Sequence, residues 1–303
     1  MRRLIGSFLL CLLYLGVLAQ SNDEQVVVRK SQLIIRLDND AFISGRKDRY
    51  YSAGHFLDYY QYLGDGKSYS LGFGNLILTP DLPAELPPSE IDRPFAGLNY
   101  LKFGFQKRKQ NWFYEASLLT GIIGPKSGVG QFHDWYHDLA NFPRAMGWEN
   151  QIEDSFIINL ESTVIRSIWG NGNFEILGEA NAALGNLEQS LSIKPSFRIG
   201  TFQPLAYSQI NGSRVGTRSR QEQFFQFGAE LKRVFFNRTI DGDLISPEIP
   251  PSFESKDYIG ELFGEFILNY NHFGMGYGIY YRTKENESAR DQVFARITLS
   301  WLF

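Results

Sequence analysis

The sequence predicts an all-β fold, a transmembrane antiparallel β-barrel of about twelve strands with a short helix in an outer loop. Three observations predict it. In Asp291–Phe303, Val293, Ala295, Ile297, Leu299, Trp301 and Phe303 alternate with Gln292, Arg296, Thr298 and Ser300, giving a strand with one oily face. Comparable period-two segments recur from Ser31 onward. Beyond an apolar run near the start, no stretch of about eighteen apolar residues remains, so helical spans are excluded while half-apolar strands are not. Taken alone, 291–303 would also suit the closing strand of a soluble β-sandwich.

The leading segment argues for export. Arg2 and Arg3 precede an apolar run from Leu4 to Leu18 that ends at small Ala19 before polar Gln20-Ser21-Asn22-Asp23. This predicts a cleavable signal over 1–19 and a barrel domain over 20–303. Cys11, the only cysteine, lies within the run, so the mature chain would have no thiol, disulfide or thiolate metal site. Losing Arg2 and Arg3 from 30 Lys and Arg leaves 28 against 33 Asp and Glu, a formal charge of −5, which argues against nucleic acid as a partner.

In order, the strand-like segments are 31–37, 50–63, 67–78, 96–108, 111–122, 152–168, 172–186, 190–203, 221–236, 255–270, 271–284 and 291–303. The fifth points Trp112, Tyr114, Ala116, Leu118 and Ile122 at lipid and Asn111, Glu115 and Ser117 inward. In the seventh, Phe174, Ile176, Ala180, Ala182 and Leu184 oppose Glu175, Glu179 and Asn181; in the tenth, Leu262, Phe266 and Leu268 oppose Glu261, Glu265 and Asn269. Inward charges of both signs, including Lys194, Arg198, Lys232 and Arg296, predict a narrow barrel filled by a paired network rather than an open pore. Gly64-Asp65-Gly66, Gly170-Asn171-Gly172 and Asn186-Leu187-Glu188 read as tight turns. The longer segments 79–95, 123–150, 204–220 and 237–254 read as loops extending outward.

Two clusters near loops concentrate reactive side chains. Arg36-Leu37-Asp38-Asn39-Asp40-Ala41-Phe42 ends the first strand, and two readings fit it. Hard oxygen ligands could take Ca²⁺ while Asn39 donates to an oxyanion, or Asp and Asn simply form a polar turn. The second cluster runs Gly130-Gln131-Phe132-His133-Asp134-Trp135-Tyr136-His137-Asp138-Leu139 and holds two of the four histidines. A helix over 131–141 puts His133 and His137 on one face, able to bind metal or to place a base. A plain amphipathic loop helix packing Trp135, Tyr136 and Leu139 on the rim also fits. It is not a zinc-protease helix, because Asp134 follows the first histidine where Glu would be required.

Ordered blocks through the first half of the mature chain resemble the LpxR-type outer-membrane lipid A 3'-O-deacylases. They are Asp38 to Phe42, Asp48-Arg49-Tyr50-Tyr51-Ser52-Ala53-Gly54, Leu78-Thr79-Pro80, Asp92-Arg93-Pro94-Phe95-Ala96-Gly97, Gly121 to Pro125, Trp135-Tyr136-His137 and Gly147 to Gln151. The second half resembles that family only as a strand pattern. The resemblance implies a twelve-stranded barrel in the outer membrane of a Gram-negative bacterium, with a site between its wall and an outer-loop helix. It also implies a Ca²⁺-dependent ester hydrolase acting on lipid A or lipopolysaccharide among outer-membrane lipids. Asn39, Asp40, Ser52 and His137 fall on the family's catalytic positions, with Asp40 the Ca²⁺ ligand, His137 the general base and His133 the alternate base. Terminal Phe303 suits recognition by the outer-membrane assembly machinery.

One departure is that Thr79–Asp92 carries no Lys or Arg to meet lipid A phosphates. Arg93, Lys102 or Gln106-Lys107-Arg108-Lys109 could substitute, although Arg93 also reads as a loop anchor and the basic run as a solvated strand end. The rival readings are a non-catalytic outer-membrane barrel and a phospholipase with a serine nucleophile, the latter lacking any His-x-Ser pairing.

Overall fold

In the computed structural model, the described residues are 28–44, 49–81, 91–141, 144, 146–217, 221–243 and 253–303. The expected signal over 1–19, Asp48, and parts of the expected loops 79–95, 123–150, 204–220 and 237–254 lie outside them. Twelve strands form: β1 (Ser31–Asn39), β2 (Tyr50–Gly64), β3 (Lys67–Thr79), β4 (Ala96–Lys109), β5 (Trp112–Ile123), β6 (Ser155–Asn171), β7 (Phe174–Gly185), β8 (Glu188–Thr201), β9 (Gln221–Asn237), β10 (Tyr258–Tyr270), β11 (Phe273–Arg282) and β12 (Gln292–Leu302). Among the described residues three α-helices join them, α1 (Ala41–Ser44), α2 (Val129–Ala140) and α3 (Arg238–Asp241), besides short 3-10 turns. Each strand pairs antiparallel with its sequence neighbours, and β1 pairs with β12, so the sheet closes without an edge.

Side-chain alternation sets the two faces. On β3 and β4, Leu71, Phe73, Leu101, Phe103 and Phe105 are exposed, as are Leu118, Ile122, Leu184, Leu262, Leu299 and Trp301 elsewhere on the wall. That continuous apolar exterior is the surface a bilayer covers. Higher on β12 the outward face is sheltered, because α1 packs against that strand and Ala295 is buried.

The interior is filled, as its charges predict. Lys102 meets Glu161 at 2.7 Å and Glu115 at 3.7 Å, Arg282 meets Glu261 at 2.8 Å, Lys232 meets Glu188 at 3.1 Å, and Arg296 meets Asp38 at 2.7 Å. Arg198, wholly buried, bridges Glu175 at 2.5 Å and Glu222 at 3.7 Å. Part of the filling is apolar, which the charge pattern does not convey. Tyr51, Leu78, Leu98, Leu119, Ile123, Phe263, Tyr280 and Phe294 form a core cluster inside the barrel, with Tyr280 stacked on Phe294 at 5.0 Å.

Strand parity assigns every connection to one of two ends. The β1–β2, β3–β4, β5–β6 and β9–β10 connections share the end that carries α2, whereas β2–β3, β4–β5, β6–β7 and β8–β9 lie at the opposite end. At that opposite end, Asp65 and Gly66 take left-handed φ of 49° and 71°, as a two-residue hairpin turn requires. The expectation that 204–220 extends outward with the other long loops is therefore wrong. It joins β8 to β9 and so belongs to the turn end, and its described part, 204–217, folds inward. Buried Ser213 accepts from Arg108 Nη2 at 2.9 Å, Arg214 N–H donates to Gln32 Oε1 at 2.6 Å, and Gln209 N–H donates to Glu222 at 3.0 Å. Leu205 joins Phe113, Ile165 and Leu177 in a second core cluster. Several polar residues of this loop are thus bonded to inward strand residues, and its described part is a plug.

Candidate active site

At the helix end, outward strand positions stop being lipid-like. Asn39 on β1 faces Ala53 on β2, which faces Ile77 on β3, which faces Gly97 on β4. Over this row lies α2. Ala53, Ile77, Phe95, Val129 and Trp148 form one buried cluster that fastens the helix to the outside of the wall. Gly97 permits the close approach: a Cβ there would stand 2.6 Å from Val129 Cβ and 3.0 Å from its Cγ1. Residue 128, a glycine at φ 73°, turns the chain into the helix.

The helix is amphipathic in an unusual sense. Phe132, Trp135, Tyr136 and Leu139, spaced as one stripe, are exposed, whereas His133 and His137 are 3% and 5% exposed. Their rings lie 4.1 Å apart. His133 Nδ1 accepts from Trp148 Nε1–H at 3.2 Å. An indole can only donate, so the proton of neutral His133 is on Nε2. Burial, then the neighbouring His137, pushes the His133 pKa down to about 3. His133 is thus held neutral, with its lone pair already engaged.

Asn39 Oδ1 accepts from Ala41 N–H at 2.6 Å, an Asx turn that starts α1. Only the oxygen can accept from N–H, so this bond fixes the amide orientation and leaves the NH₂ as the donor Asn39 presents. Buried Asp40 follows, its Oδ2 accepting from Arg49 N–H at 3.1 Å. Across the strand pair, the β2 register slips between Tyr51 and Ala53, and the bulge turns Ser52 toward Thr79, their hydroxyl oxygens 2.5 Å apart. Asp38, by alternation, points into the lumen on Arg296 and Tyr51 and is not part of this group.

A family model described as Outer membrane protein LpxR matches residues 7–303. The chain belongs to the LpxR family. The solved LpxR from Salmonella typhimurium has the same fold, with a TM-score of 0.76 at 20% identity over 90% of this chain and 100% of that one. Two other barrels, the NanC porin and the translocator domain of the autotransporter NalP from Neisseria meningitidis, give TM-scores of 0.45 at 8% identity. The porin match covers 89% of this chain and 98% of that one, and the translocator match 100% and 96%. No curated protein matches the sequence.

Within this LpxR-family barrel, Asn39 and Ser52 sit on adjoining strands at one rim, Asp40 follows the end of β1, and the histidine helix is clamped on the same outer wall through Ala53 and Ile77. Arg93 takes its anchoring role. Only 1% exposed, it donates to Glu285 at 3.0 Å and to Thr239 O at 3.3 Å, so it ties three connections together and presents nothing outward. Lys102 is committed to the lumen, and Arg108 to Ser68 and Ser213 at the turn end, far from α2 along the barrel. Neither meets a ligand at the helix rim.

The donor chemistry suits a hard cation in limited measure. Asp40 is a buried carboxylate just past the end of β1, yet the described residues contain no group of three or more His, Cys, Asp and Glu that could hold a metal. A cation here would take one carboxylate and complete its shell from carbonyl oxygens and water. Trp148 as the His133 partner, and a polar row formed by His55, Asn75 and Asn99, escaped the sequence reading. The signal for the row was present: polar residues at wall positions whose neighbours Leu57, Phe73 and Leu101 face lipid.

Proposed function

We propose that this LpxR-family protein hydrolyses the ester-linked 3' acyl group of lipid A in the outer leaflet of the outer membrane. The observation that carries the reading is the position of α2. It is fastened to the lipid-facing side of the wall through Ala53 and Ile77, neighbours of Asn39 and Ser52, and it carries two buried histidines, one of them bonded to Trp148 of the same cluster. A substrate would reach such a site laterally from the bilayer.

His137 acts as general base and takes a proton from water as the oxygen attacks the ester carbonyl. His133 cannot serve as well, because its Nδ1 lone pair is engaged by Trp148 and its low pKa makes it a weak base near neutrality. Its role is to support the His137 ring from one side. The Asn39 NH₂ donates to the oxyanion of the tetrahedral intermediate, and the Ser52–Thr79 hydroxyl pair orients the site. Bound at Asp40, Ca²⁺ would supply Lewis-acid polarisation of the carbonyl. Collapse breaks the acyl–oxygen bond, and the proton on His137 passes to the departing sugar oxygen. The products are a fatty acid and a free 3' hydroxyl.

The Ser52 hydroxyl is paired with that of Thr79, which favours an orienting role over that of a nucleophile activated by an adjacent base. Purified protein incubated with lipid A, with and without chelator, is read by mass spectrometry. Loss of the 3' acyl groups alone, abolished by chelator and cut by about 10²-fold or more in His137→Ala, is expected. Unchanged lipid A in Ca²⁺, or full activity of His137→Ala, refutes the reading. The first result would favour a non-catalytic barrel. Phospholipid hydrolysis lost in Ser52→Ala would favour a serine phospholipase.

A further inference from the structure

Lys107 and Lys109, which take no part in the helix-rim site, belong to a wider pattern. The outward positions of the twelve strands carry five Lys or Arg and no Asp or Glu. Arg233 stands alone near the helix end of β9. The other four, Lys67 on β3, Lys107 and Lys109 on β4 and Arg166 on β6, are exposed and gather at the turn end of one sector of the wall. Register makes them neighbours: Lys67 faces Lys107 directly, and Lys109 faces Trp112, which faces Arg166.

Like charges directly opposite on a sheet, with Cβ atoms about 5 Å apart, repel each other. Lys109 follows about 7 Å further along its strand, and Arg166 lies about 10 Å across from it. None of the four forms an ion pair among the described residues, Asp65 in the adjoining turn included. Arg166 is instead held over the Trp112 ring, its Cζ 4.8 Å from the centroid, and Trp112 stacks on Tyr114 at 5.8 Å. Stacking occupies one face of the guanidinium and leaves its N–H edge for an acceptor. Toward the helix end the same columns turn apolar, with Leu71, Phe103, Phe105 and Leu118 exposed. The cations thus mark the border of the hydrocarbon-covered wall, beside aromatic rings of the kind that settle at headgroup depth. The short β2–β3, β4–β5 and β6–β7 turns make this the periplasmic side, so the leaflet concerned is the one opposite α2.

We propose that Lys67, Lys107, Lys109 and Arg166 form a docking site for the head group of an anionic phospholipid of the inner leaflet. Its acyl chains lie on the Leu71, Phe103 and Phe105 columns, and its net negative head relieves the Lys67–Lys107 repulsion. A zwitterionic head would leave the four charges unmatched, and a soluble phosphate has nothing to place on the apolar columns. The site is independent of the deacylase reading.

The purified protein in detergent is titrated with phosphatidylglycerol or with phosphatidylethanolamine of identical acyl chains, and retained lipid is counted by native mass spectrometry. Phosphatidylglycerol is expected to bind about tenfold more tightly. Replacing all four bases by Gln should bring the ratio of affinities near one, and Lys67→Gln with Lys107→Gln should lower it partway. The double variant gives the reading should the fourfold one fail to fold. Arg233→Gln, at the other end of the barrel, should leave the ratio unchanged. Equal retention of the two lipids, or an undiminished ratio in the double and fourfold variants, overturns the site. An equal fall in Arg233→Gln does so too, since it shows attraction spread over the whole wall. Displacement of phosphatidylglycerol by inorganic phosphate at constant ionic strength likewise overturns it, by reducing the patch to an anion site with no lipid partner.

Discussion

Docking of α2 should be sensitive to acid, through His133. Its pKa is pushed from 6.5 down to about 3 by burial and by His137, so the undocked helix binds a proton more readily than the docked one. The contribution is fully present above about pH 6.5, where both states are neutral, and is lost as pH falls from there toward 3. Each pH unit below 6.5 costs about 1.4 kcal/mol, so docking weakens by about 2 kcal/mol at pH 5, roughly a thirtyfold shift toward the undocked helix. The barrel, closed by twelve paired strands, should not unfold over this range. Hydrogen exchange of the α2 amides across pH 7.5 to 4.5, in detergent, follows the opening, with β-strand amides as the internal control. His133→Gln offers a side-chain oxygen to Trp148 without a titrating group and should flatten the response. An α2 exchange rate that is flat in the native protein, or equally acid-sensitive in His133→Gln, would refute the argument.

Other perturbations test the remaining contacts. Gly97→Val forces side-chain atoms into Val129 and should lift α2 from the wall, costing about 1–3 kcal/mol locally and most of the lipid A hydrolysis, with the folded barrel still resisting SDS unless heated. Arg93→Ala removes a buried guanidinium from Glu285 and Thr239. It should lower the melting temperature while leaving substrate KM unchanged in the protein that folds, and a raised KM alone would return Arg93 to the ligand. Arg198→Ala strands Glu175 and Glu222 in the interior, and a loss of about 3–5 kcal/mol should appear in urea titrations of the barrel.

The strands were legible because a barrel wall imposes one rule, period two, on every residue it contains. All twelve expected segments became strands, with ends moved by a few residues. The tenth begins at Tyr258 rather than 255, since Ser255 makes an isolated bridge to Asn286 instead of joining β9. The helix begins at Val129, two residues early, because Gly128 can take the left-handed turn that starts it. The site was legible as residue types and only in part as an arrangement. Alternation sends Asp38 into the lumen but would send Asp40 the same way; that β1 ends at Asn39, and that a bulge sits at Ser52, no local signal announces. The commitment of Arg93 to Glu285, 192 residues away, and of Trp148 to His133 depends on tertiary closure that periodicity does not encode. Segment 204–220 was misplaced because its length and polarity resemble those of the long loops, whereas counting strands would have put it at the other end.

The inward-folded 204–217 segment has an electrical consequence. With Ser208, Ser213, Arg214 and Gln32 all but sealed from solvent, and Arg198 and Glu222 behind them, the expected outcome is a barrel that does not conduct ions along its axis. A planar bilayer holding the protein should carry no steady current, and trimming that segment should introduce discrete conductance steps. The proposed chemistry on the outer wall would thereby be uncoupled from permeability: a membrane could hold many copies without becoming leakier.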